Sequence, residues 1–321
     1  PADQLLGLVE GKGLDHANEV FGFTRLMVAA FGLGAGEEAL ARAVQYSKER
    51  VQFGEPLCQK QGFTHKLLVP HAIRLEAARA YCEAMTVRLD GGDGRLDVEG
   101  AVAKYYATEV GNTAADAAIQ ALGGYGYTRE YEVEKIRRDV RITTIYEGTS
   151  EIMQNIIGVF RWRSVVRSRG GFYSDMAKAL RDLGEAGVPA GAPWAALAAD
   201  ALAQTVLTCH STRLPREQHV MFELAHLMAE VETSVALCHK AARLADDDER
   251  AALLLPAARL VAGAAAREVV VRGLEILVGS GRYDDEKLDE YRQLCAFSEI
   301  LATSQGRLDD MAKVTQAIVG E

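Results

Sequence analysis

Apolar residues recur at helical spacing along most of the chain, and turn-forming residues divide the pattern into long segments. One clear stripe has spacings of four or three residues. It consists of Val102, Tyr106, Val110, Ala114, Ala117 and Ala121. It predicts an amphipathic helix that stops at Gly123-Gly124. Further helices are predicted from about residue 15 to 49, from 59 to 89, and onward from a cap at Thr149 or Ser150. Four long helices with short connections indicate an up-down four-helix bundle.

Glycine and proline positions refine these helices. Gly32, Gly34 and Gly36 in the first helix predict close packing against a neighbour, because glycine lets two backbones approach. Pro70 falls inside the second helical segment, where an interior proline costs about 3 kcal/mol. We therefore expect a kink or a late helix start there. Gly91-Gly92 should end that helix.

The second half of the chain echoes the first. Residues 218–226 can be aligned with residues 61–69, and residues 274–283 with 118–127 at nearly the same offset. A diverged second helical bundle is the simplest account of this repeat. Because the echo contains no counterpart of the segment around Glu147, we expect the second copy to be chemically silent.

These patterns predict an all-α fold with two bundles. The glycine and proline residues between 184 and 193 mark the clearest domain boundary. We assign residues 15–170 to the first bundle, 171–193 to a linker, and 194–321 to the second, diverged bundle.

Composition narrows the class of protein. The chain has 321 residues and a net charge of -9, which argues against a nucleic-acid partner held through its phosphates. Five cysteines are scattered singly, which is typical of buried thiols in a reducing compartment. We therefore expect the cytoplasm of a bacterium or the matrix of a reducing organelle. The chain opens at Pro1 directly into a glycine-rich segment, so we expect it to be the C-terminal part of a longer protein.

A carboxylate and two hydroxyls surround one glycine in Ile145-Tyr146-Glu147-Gly148-Thr149-Ser150-Glu151. An apolar approach precedes this segment and a helical pattern follows it. Glu147 therefore stands just before a helix start, in surroundings that suit a general base in a partly dehydrated pocket. The alternative is that Glu147 only interacts with the dipole of the next helix, as many capping carboxylates do.

Four arginines, Arg161, Arg163, Arg167 and Arg169, surround Trp162. The simpler interpretation is a solvated helix end whose positive charge suits the helix dipole. A second interpretation is peripheral contact with an anionic membrane surface or with a cofactor phosphate.

Candidate motifs for dinucleotide and metal binding have the wrong context or spacing. Gly123-Gly124-Tyr125-Gly126 ends a helix and does not link a strand to one, so it is no dinucleotide fingerprint. His65 and His71 are six residues apart, and His219 and His226 are seven apart, whereas two ligands on one helical face stand four apart. We predict no metal site.

Several segments together resemble the acyl-CoA dehydrogenases, in the family's order and at its intervals. They are residues 21–25, 49–54, 120–127, 134–139 and 145–151. The resemblance covers about residues 1–165, and the remainder resembles more weakly the extra helical domain of the very-long-chain branch and related bacterial enzymes. It implies that residues 1–14 are the tail of a β-domain that precedes the first bundle.

The resemblance also implies a chemistry. Glu147 would be the base that removes the α-proton of an acyl-CoA thioester, while a hydride leaves the β-carbon for N5 of FAD and a trans-2-enoyl-CoA forms. Arg25 and Gly148 would contact the acyl-CoA. The FAD contacts implied for this chain and for a neighbouring subunit are Arg50, Gln52, Lys60, Gln61, Gln120, Gly123, Gly124, Thr149 and Glu151.

Three positions depart from the family pattern. Gly22 and Phe23 replace an acidic residue found before Arg25 in many relatives, and Glu151 stands where several have Gln. Some members place the base just before that arginine, but this chain has Thr24 there, which favours Glu147.

The resemblance implies partners as well. An electron-transfer flavoprotein would take the electrons, and the second bundle would cover the surface through which smaller relatives form tetramers, so we expect a homodimer. Two alternatives remain at this point: an acyl-CoA oxidase, and a non-catalytic helical assembly module.

Overall fold

The chain folds almost entirely into α-helices, as its apolar pattern predicts. The computed structural model describes residues 2–93, 96–185, 187 and 190–320. The helices and strands, in chain order, are α1 Gly13–Glu49, β1 Val51–Gln52, β2 Glu55–Pro56, α2 Gln61–Phe63, α3 Val69–Asp90, α4 Asp97–Leu122, α5 Gly124–Tyr127, α6 Val133–Arg141, α7 Ser150–Arg167, α8 Gly171–Glu185, α9 Ala192–Ser211, α10 Gln218–Arg243, α11 Asp248–Gly279, α12 Asp285–Leu294, α13 Phe297–Ala302 and α14 Arg307–Val319. β1 and β2 form one short antiparallel hairpin. The all-α prediction is confirmed.

The first bundle consists of α1, α3, α4 and α7 in alternating directions. A hydrogen bond from Gln154 to the hydroxyl of Tyr105 and an ion pair between Glu99 and Arg161 show that α4 and α7 run antiparallel. α1 and α4 instead run parallel and in direct backbone contact. A Cβ atom at Gly111 would lie 2.1 Å from the carbonyl oxygen of Gly32, so only glycine fits there.

The predicted glycine packing is confirmed for two of three residues. Gly32 and Gly36 face Thr108 and Gly111 of α4, whereas a Cβ on Gly34 would meet no atom within 4 Å. The parallel arrangement places the C-terminal ends of α1 and α4 side by side, where Tyr46 and Tyr125 make an edge-to-face contact with ring centroids 6.1 Å apart. The parallel arrangement therefore brings the motif at residues 49–54 close to the motif at residues 120–127.

Pro70 has the predicted effect on the second segment. A π-helical turn, Thr64–Leu68, separates the three-residue α2 from α3, and Pro70 lies in the first turn of α3. Proline has no N–H to donate within a helix, so the chain widens before it and the regular helix starts late.

The second half repeats the element order of the first. α10 and α14 begin 157 residues after α2 and α7 (218 against 61, and 307 against 150). α11 corresponds to α4, while α8 and α9 together occupy the place of the single long α1. At this offset Ser304 stands where Glu147 stands in the first copy. That the second bundle is chemically silent stays a prediction.

The predicted linker over residues 171–193 is wrong in its first part. α8 occupies Gly171–Glu185, buries Tyr173, Ala177 and Leu180, and packs against α9. These three residues have the spacing of a helix face, a signal outweighed in the sequence by the glycines and prolines that follow. Positions 186, 188 and 189 of the predicted linker lie outside the described residues.

Two carboxylates of α10 join the bundles. Glu232 accepts hydrogen bonds from Arg161 (Nε to Oε1, 2.8 Å; Nη2 to Oε2, 3.0 Å), and from the hydroxyls of Tyr81 (3.1 Å) and Tyr173 (3.0 Å). Both interpretations of the arginine run are therefore wrong for Arg161, which is buried and held by Glu232. Arg163, Arg167 and Arg169 are exposed. The other carboxylate, Glu230, pairs with Arg74.

Buried apolar side chains form one core that extends through both bundles. Before α1 there are two short 3₁₀ turns, Ala2–Gln4 and Leu6–Leu8, and the described residues of that segment contain no strand. Its assignment to the tail of a β-domain stays a prediction. Within the described ranges, no helix has both the length and the apolar character needed to cross a membrane.

Candidate active site

The turn between α6 and α7 carries Glu147 in a strained backbone conformation. Glu147 has φ 54° and Gly148 has φ 97°, so both residues lie in the left-handed region. For a non-glycine residue this conformation costs about 1–3 kcal/mol and is typical of functional sites. The φ of Gly148 favours glycine there, and a Cβ at this position would also displace Cε of Met153, which lies 2.6 Å away.

Several buried polar atoms beside this turn have no hydrogen-bond partner among the described residues. They are Oε2 of Glu147, Nε of Arg25 and Oγ1 of Thr24. Arg25 is only 7% exposed, and its Nη1 donates to the carbonyl oxygen of Asp97 at 3.2 Å. Burial lowers the pKa of Arg25, while the charges of Asp97 and Glu147 oppose that shift. Because nearly all buried polar atoms in native proteins are paired, this group marks a place for a polar ligand.

A buried lysine supports the turn from α4. Lys104 is 0% exposed, and its Nζ donates to the carbonyl oxygen of Gly148 at 2.7 Å. Burial lowers its pKa to about 8; the negative charge of Glu109 opposes this shift, and the positive charge of Arg25 adds to it. The sequence analysis missed Lys104, although a single lysine in the otherwise uncharged run 100–108 is a detectable signal.

The start of α7 is fixed by two further contacts. Thr149 is its N-cap, as predicted, and the Oγ1 accepts a hydrogen bond from the backbone N of Ile152 at 3.4 Å. The hydroxyl of Ser150 donates to Glu109 of α4. Glu151 is exposed in the first turn, where hydrogen bonding to Thr149 and to its own backbone lowers its pKa.

Exposed apolar side chains lie on α1 and on the segment that carries Glu147. Phe23, Met27 and Phe31 follow one another at four-residue intervals on α1 and are all more than half exposed. Ile142, Ile145 and Ile152 are exposed on the segment that carries Glu147. An exposed apolar surface of this kind beside unpaired polar atoms is typical of a binding site.

The remaining predicted site residues lie at the other end of α1. Arg50, Gln52, Lys60 and Gln61 follow its C-terminus, and Gln120, Gly123 and Gly124 lie where the parallel α4 ends. Arg25 and Arg50 are separated by 25 positions of α1, or about 38 Å at the helical rise. The structure thus brings Arg25, Glu147, Gly148, Thr149 and Glu151 together at one location, and the other residues together at a second.

Two members of the second group are already engaged. Nζ of Lys60 pairs with Oε1 of Glu55 at 2.9 Å, and the side-chain amide of Gln52 donates to the carbonyl oxygen of Val51 at 2.9 Å. Arg50 and Gln120 are exposed. Gly123 has φ 60°, and a Cβ on either Gly123 or Gly124 would meet no atom within 4 Å, so the backbone there is open to close approach.

A histidine and two carboxylates meet away from this site. Donor atoms of His226, Glu230 and Glu268 lie within 4.8 Å of one another. His226 and Glu230 stand four apart on α10, a pairing that a comparison of histidines alone could not detect. Arg74 and Arg272 already pair with the two carboxylates, so the cluster has little spare negative charge for a cation.

Fold and site together define a helical-bundle domain that presents a strained glutamate at the start of a helix, beside a buried arginine and lysine. A family model described as "Acyl-CoA dehydrogenase, C-terminal domain" matches residues 11–160 and 177–313. The chain therefore belongs to the acyl-CoA dehydrogenase family, through its C-terminal domain. The division of the chain into domains at 15–170 and 194–321 stays a prediction.

Individual relatives match about half of the chain. The chain is 42% identical over 158 residues to a short-chain-specific acyl-CoA dehydrogenase of Megasphaera elsdenii, covering 49% of this chain and 40% of that protein. It is 38% identical over 157 residues to the Caffeyl-CoA reductase-Etf complex subunit CarC of Acetobacterium woodii, covering 49% of this chain and 41% of that protein. The chain thus spans well under two thirds of these curated relatives.

One solved structure resembles both bundles. An acyl-CoA dehydrogenase from Bacillus anthracis, complexed with FAD, superposes with a TM-score of 0.70 at 19% identity. The superposition covers 96% of this chain and 57% of that one. At this identity the similarity concerns the fold, and it extends over nearly the whole chain.

Proposed function

We propose that this chain is the part of an FAD-dependent acyl-CoA dehydrogenase that supplies the catalytic base, Glu147. The reaction would convert an acyl-CoA thioester to a trans-2-enoyl-CoA. One observation carries the proposal: a carboxylate oxygen of Glu147 is buried without a partner, on a strained turn beside the buried Arg25. A helix cap does not require that strain, and the cap of α7 is already provided by Thr149.

Each residue of the turn has a part in the proposed reaction. Glu147 removes the proton from the α-carbon, because an unpaired carboxylate oxygen is free to accept it. Lys104 holds the carbonyl of Gly148 and thereby fixes the turn. The charges of Arg25 and Lys104 favour negative charge near the turn, where it develops as the α-proton leaves. Ile145 and Ile152, exposed apolar side chains on the segment that carries Glu147, suit an acyl chain.

The residues present fit an FAD cofactor. FAD, when bound, accepts the hydride that leaves the β-carbon of the substrate. Thr149 and Glu151 at the N-terminal turn of α7 would contact the cofactor of the same chain. At the far end of α1, the exposed guanidinium of Arg50 suits a diphosphate, and the open backbone at Gly123-Gly124 suits a closely approaching ligand. Lys60 and Gln52 are engaged within the chain and would have to exchange partners.

We further propose that the cofactor site is shared between two copies of the chain. The two groups of residues lie about 38 Å apart along α1, too far for a single cofactor to contact both groups on one chain. A homodimer in which each copy reaches the other's cofactor reconciles them. An electron-transfer flavoprotein is the proposed electron acceptor, supported by the name of the Acetobacterium relative.

The test of the base is Glu147→Gln in the intact protein. We expect kcat for acyl-CoA oxidation to fall about 100-fold to 10,000-fold, the range of general acid-base contributions, because glutamine cannot accept the proton. The helical circular dichroism should be unchanged, since Oε2 of Glu147 has no partner to lose. The measurement is dye reduction with saturated acyl-CoA of several chain lengths.

Glu286→Gln is the matched control, because Glu286 is exposed in the first turn of α12 and the charge change is the same. Turnover by Glu147→Gln equal to that of this control would reject Glu147 as the base. Reduced protein that is reoxidised rapidly by air, without a flavoprotein acceptor, would reassign the reaction to the oxidase class.

A further inference from the structure

Uncompensated positive charge collects at one small cavity between the two bundles. The cavity, of about 210 Å³, lies where α3, α4, α10, α11 and α14 meet. Three arginines line it: Arg74, Arg267 and Arg307. In a chain with a net charge of -9, such a concentration requires an explanation.

The carboxylates at this cavity are committed to other cations. Glu230 pairs with Arg74, which accounts for one of the three arginines. Glu268 pairs with Arg272 at 2.9 Å and with Nε2 of His226 at 3.0 Å. On α14, Asp310 pairs with Arg259 and Asp309 with Lys313. Among the described residues that line the cavity, the carboxylates are Glu230 and Glu268, and neither pairs with Arg267 or Arg307.

Arg267 and Arg307 have no ion pair among the residues that the structure describes. Nη1 of Arg267 donates to the hydroxyl of Thr303 at 2.9 Å, a neutral partner. Partial burial and the positive charge of Arg307 both lower the pKa of Arg267. Burial lowers the pKa of the nearby His65, and the positive charge of Arg307 adds to this shift. Two like charges that border one partly dehydrated cavity repel each other, and a bound anion would remove that cost.

The other walls are apolar. They are formed by Pro70, Ile73, Leu260, Val261, Ala264 and Met311. A cavity that combines apolar walls with a few convergent charged groups is the usual form of a small-molecule site. The π-helical turn Thr64–Leu68, a feature frequent at functional sites, immediately precedes the α3 residues that form one wall.

We propose that Arg267 and Arg307 bind a small organic oxyanion with a short aliphatic body at this cavity. The guanidinium groups would take the carboxylate or phosphoryl oxygens in charge-assisted hydrogen bonds, and the apolar walls would take the body. The site is distinct from the turn of Glu147, and it lies where α3 and α4 of the first bundle meet α10, α11 and α14 of the second.

The test is isothermal titration calorimetry of the chain with butyrate, inorganic phosphate and butyramide. Butyrate carries both the charge and the aliphatic body, phosphate only the charge, and butyramide only the body. We expect butyrate to bind and butyramide not to bind. Tighter binding of butyrate identifies a carboxylate source, and tighter binding of phosphate identifies a phosphoryl source. Absence of heat with both anions at millimolar concentration would overturn the proposal.

Variants locate the binding. Arg307→Gln and Arg267→Gln should each weaken anion binding about tenfold or more, because each removes a hydrogen bond to a charged group. Arg307 is exposed, so its replacement should leave the fold intact and keeps the test decisive if Arg267→Gln unfolds. Arg167→Gln, which removes an exposed arginine of α7, is the matched control. Equal weakening by Arg167→Gln and Arg307→Gln would show only a general effect of net charge and would contradict this site.

Discussion

At the scale of single residues, the site depends on a backbone conformation that its own sequence disfavours. Glu147 has a positive φ, and no residue within the turn donates a hydrogen bond to its buried Oε2. The contact that holds the turn comes from Lys104, 43 positions earlier, through the carbonyl of Gly148. Strain of this kind persists only where the surrounding structure enforces it. Lys104 is therefore a positioning residue for Glu147.

Lys104 should be visible in the pH dependence of stability. Its folded pKa of about 8 lies below the ordinary value of 10.5, so the folded state loses its proton first. The unfolded state then holds more protons between these values, and the free energy of unfolding rises with pH there. Below about pH 8 both states are charged and the cost of burying the ammonium is fully present. Relative to Lys104→Met, the wild type should gain stability from pH 8 to 10.5.

The gain is at most about 1.4 kcal/mol per pH unit for one group, and denaturant unfolding at pH 7, 8, 9 and 10 measures it. Tyrosines with shifted pKa values titrate in both proteins and cancel in the difference. Lys48→Met, which removes an exposed lysine of α1, should show no such pH-dependent difference. A pH-independent difference for Lys104→Met would mean that the buried lysine is not the titrating group.

At the scale of elements, the contact between α1 and α4 sets the geometry of both groups of site residues. Gly32, Gly36 and Gly111 let the two backbones touch, and this fixes how α4 carries Lys104 relative to Arg25 on α1. Two helices with ordinary side chains at their contact have axes about 8–10 Å apart. Any added atom here must move a whole helix.

Substitution of these glycines tests that contact. Gly111→Ala places a Cβ 2.1 Å from the carbonyl oxygen of Gly32, which is rigid backbone, and should cost about 3 kcal/mol, the upper part of the range for overpacking. Gly34→Ala is the matched control on the exposed side of α1, where the better helix former should add up to about 1 kcal/mol. Denaturant unfolding measures both. Equal stability of the two variants would mean that the helices do not touch at Gly111.

At the scale of the whole molecule, α10 covers a surface of the first bundle that would otherwise be exposed. It packs on α3 and α7, and its buried Glu230 and Glu232 take Arg74 and Arg161. Removing one member of such a buried pair leaves an uncompensated charge, so the two bundles are held in one arrangement. We expect the intact protein to be a homodimer, because the second bundle already covers this surface.

A mixing experiment tests the shared cofactor site. Arg50→Glu should damage the cofactor site of the neighbouring copy, and Glu147→Gln should abolish catalysis in its own copy. Each heterodimer of the two variants keeps one site with an intact Glu147 and an intact partner arginine. Refolding the two together should therefore restore about a quarter of wild-type turnover, since half of randomly paired dimers are mixed and each has one intact site.

The two variants refolded separately are the controls and should stay inactive. No recovery in the mixture, with dimers present by sedimentation velocity, would show that both residues serve the site of a single chain. A tetramer in the same sedimentation experiment would contradict the homodimer.

Much of the fold was within reach of the sequence. Helix limits followed from apolar spacing and from local signals, such as the cap at Thr149, the proline at position 70 and the glycine at position 123. The repeat was detectable because both copies keep the same helical order. α8 was missed, since its stripe is short and lies beside residues typical of loops. Arg161 was misassigned because its partner, Glu232, is 71 positions away.

What the sequence determined by itself is therefore local: the helices, their ends, and a glutamate placed just before a helix start. These features depend on interactions between residues a few positions apart, so the local sequence determines them. What the tertiary structure decided is which distant groups meet. Packing between segments far apart in sequence produces the unpaired carboxylate oxygen beside Arg25 and the support from Lys104. It also produces the parallel α1 and α4 and the unpaired arginines at the cavity between the bundles. No local pattern encodes such contacts, because each depends on the shape and charge of the whole fold.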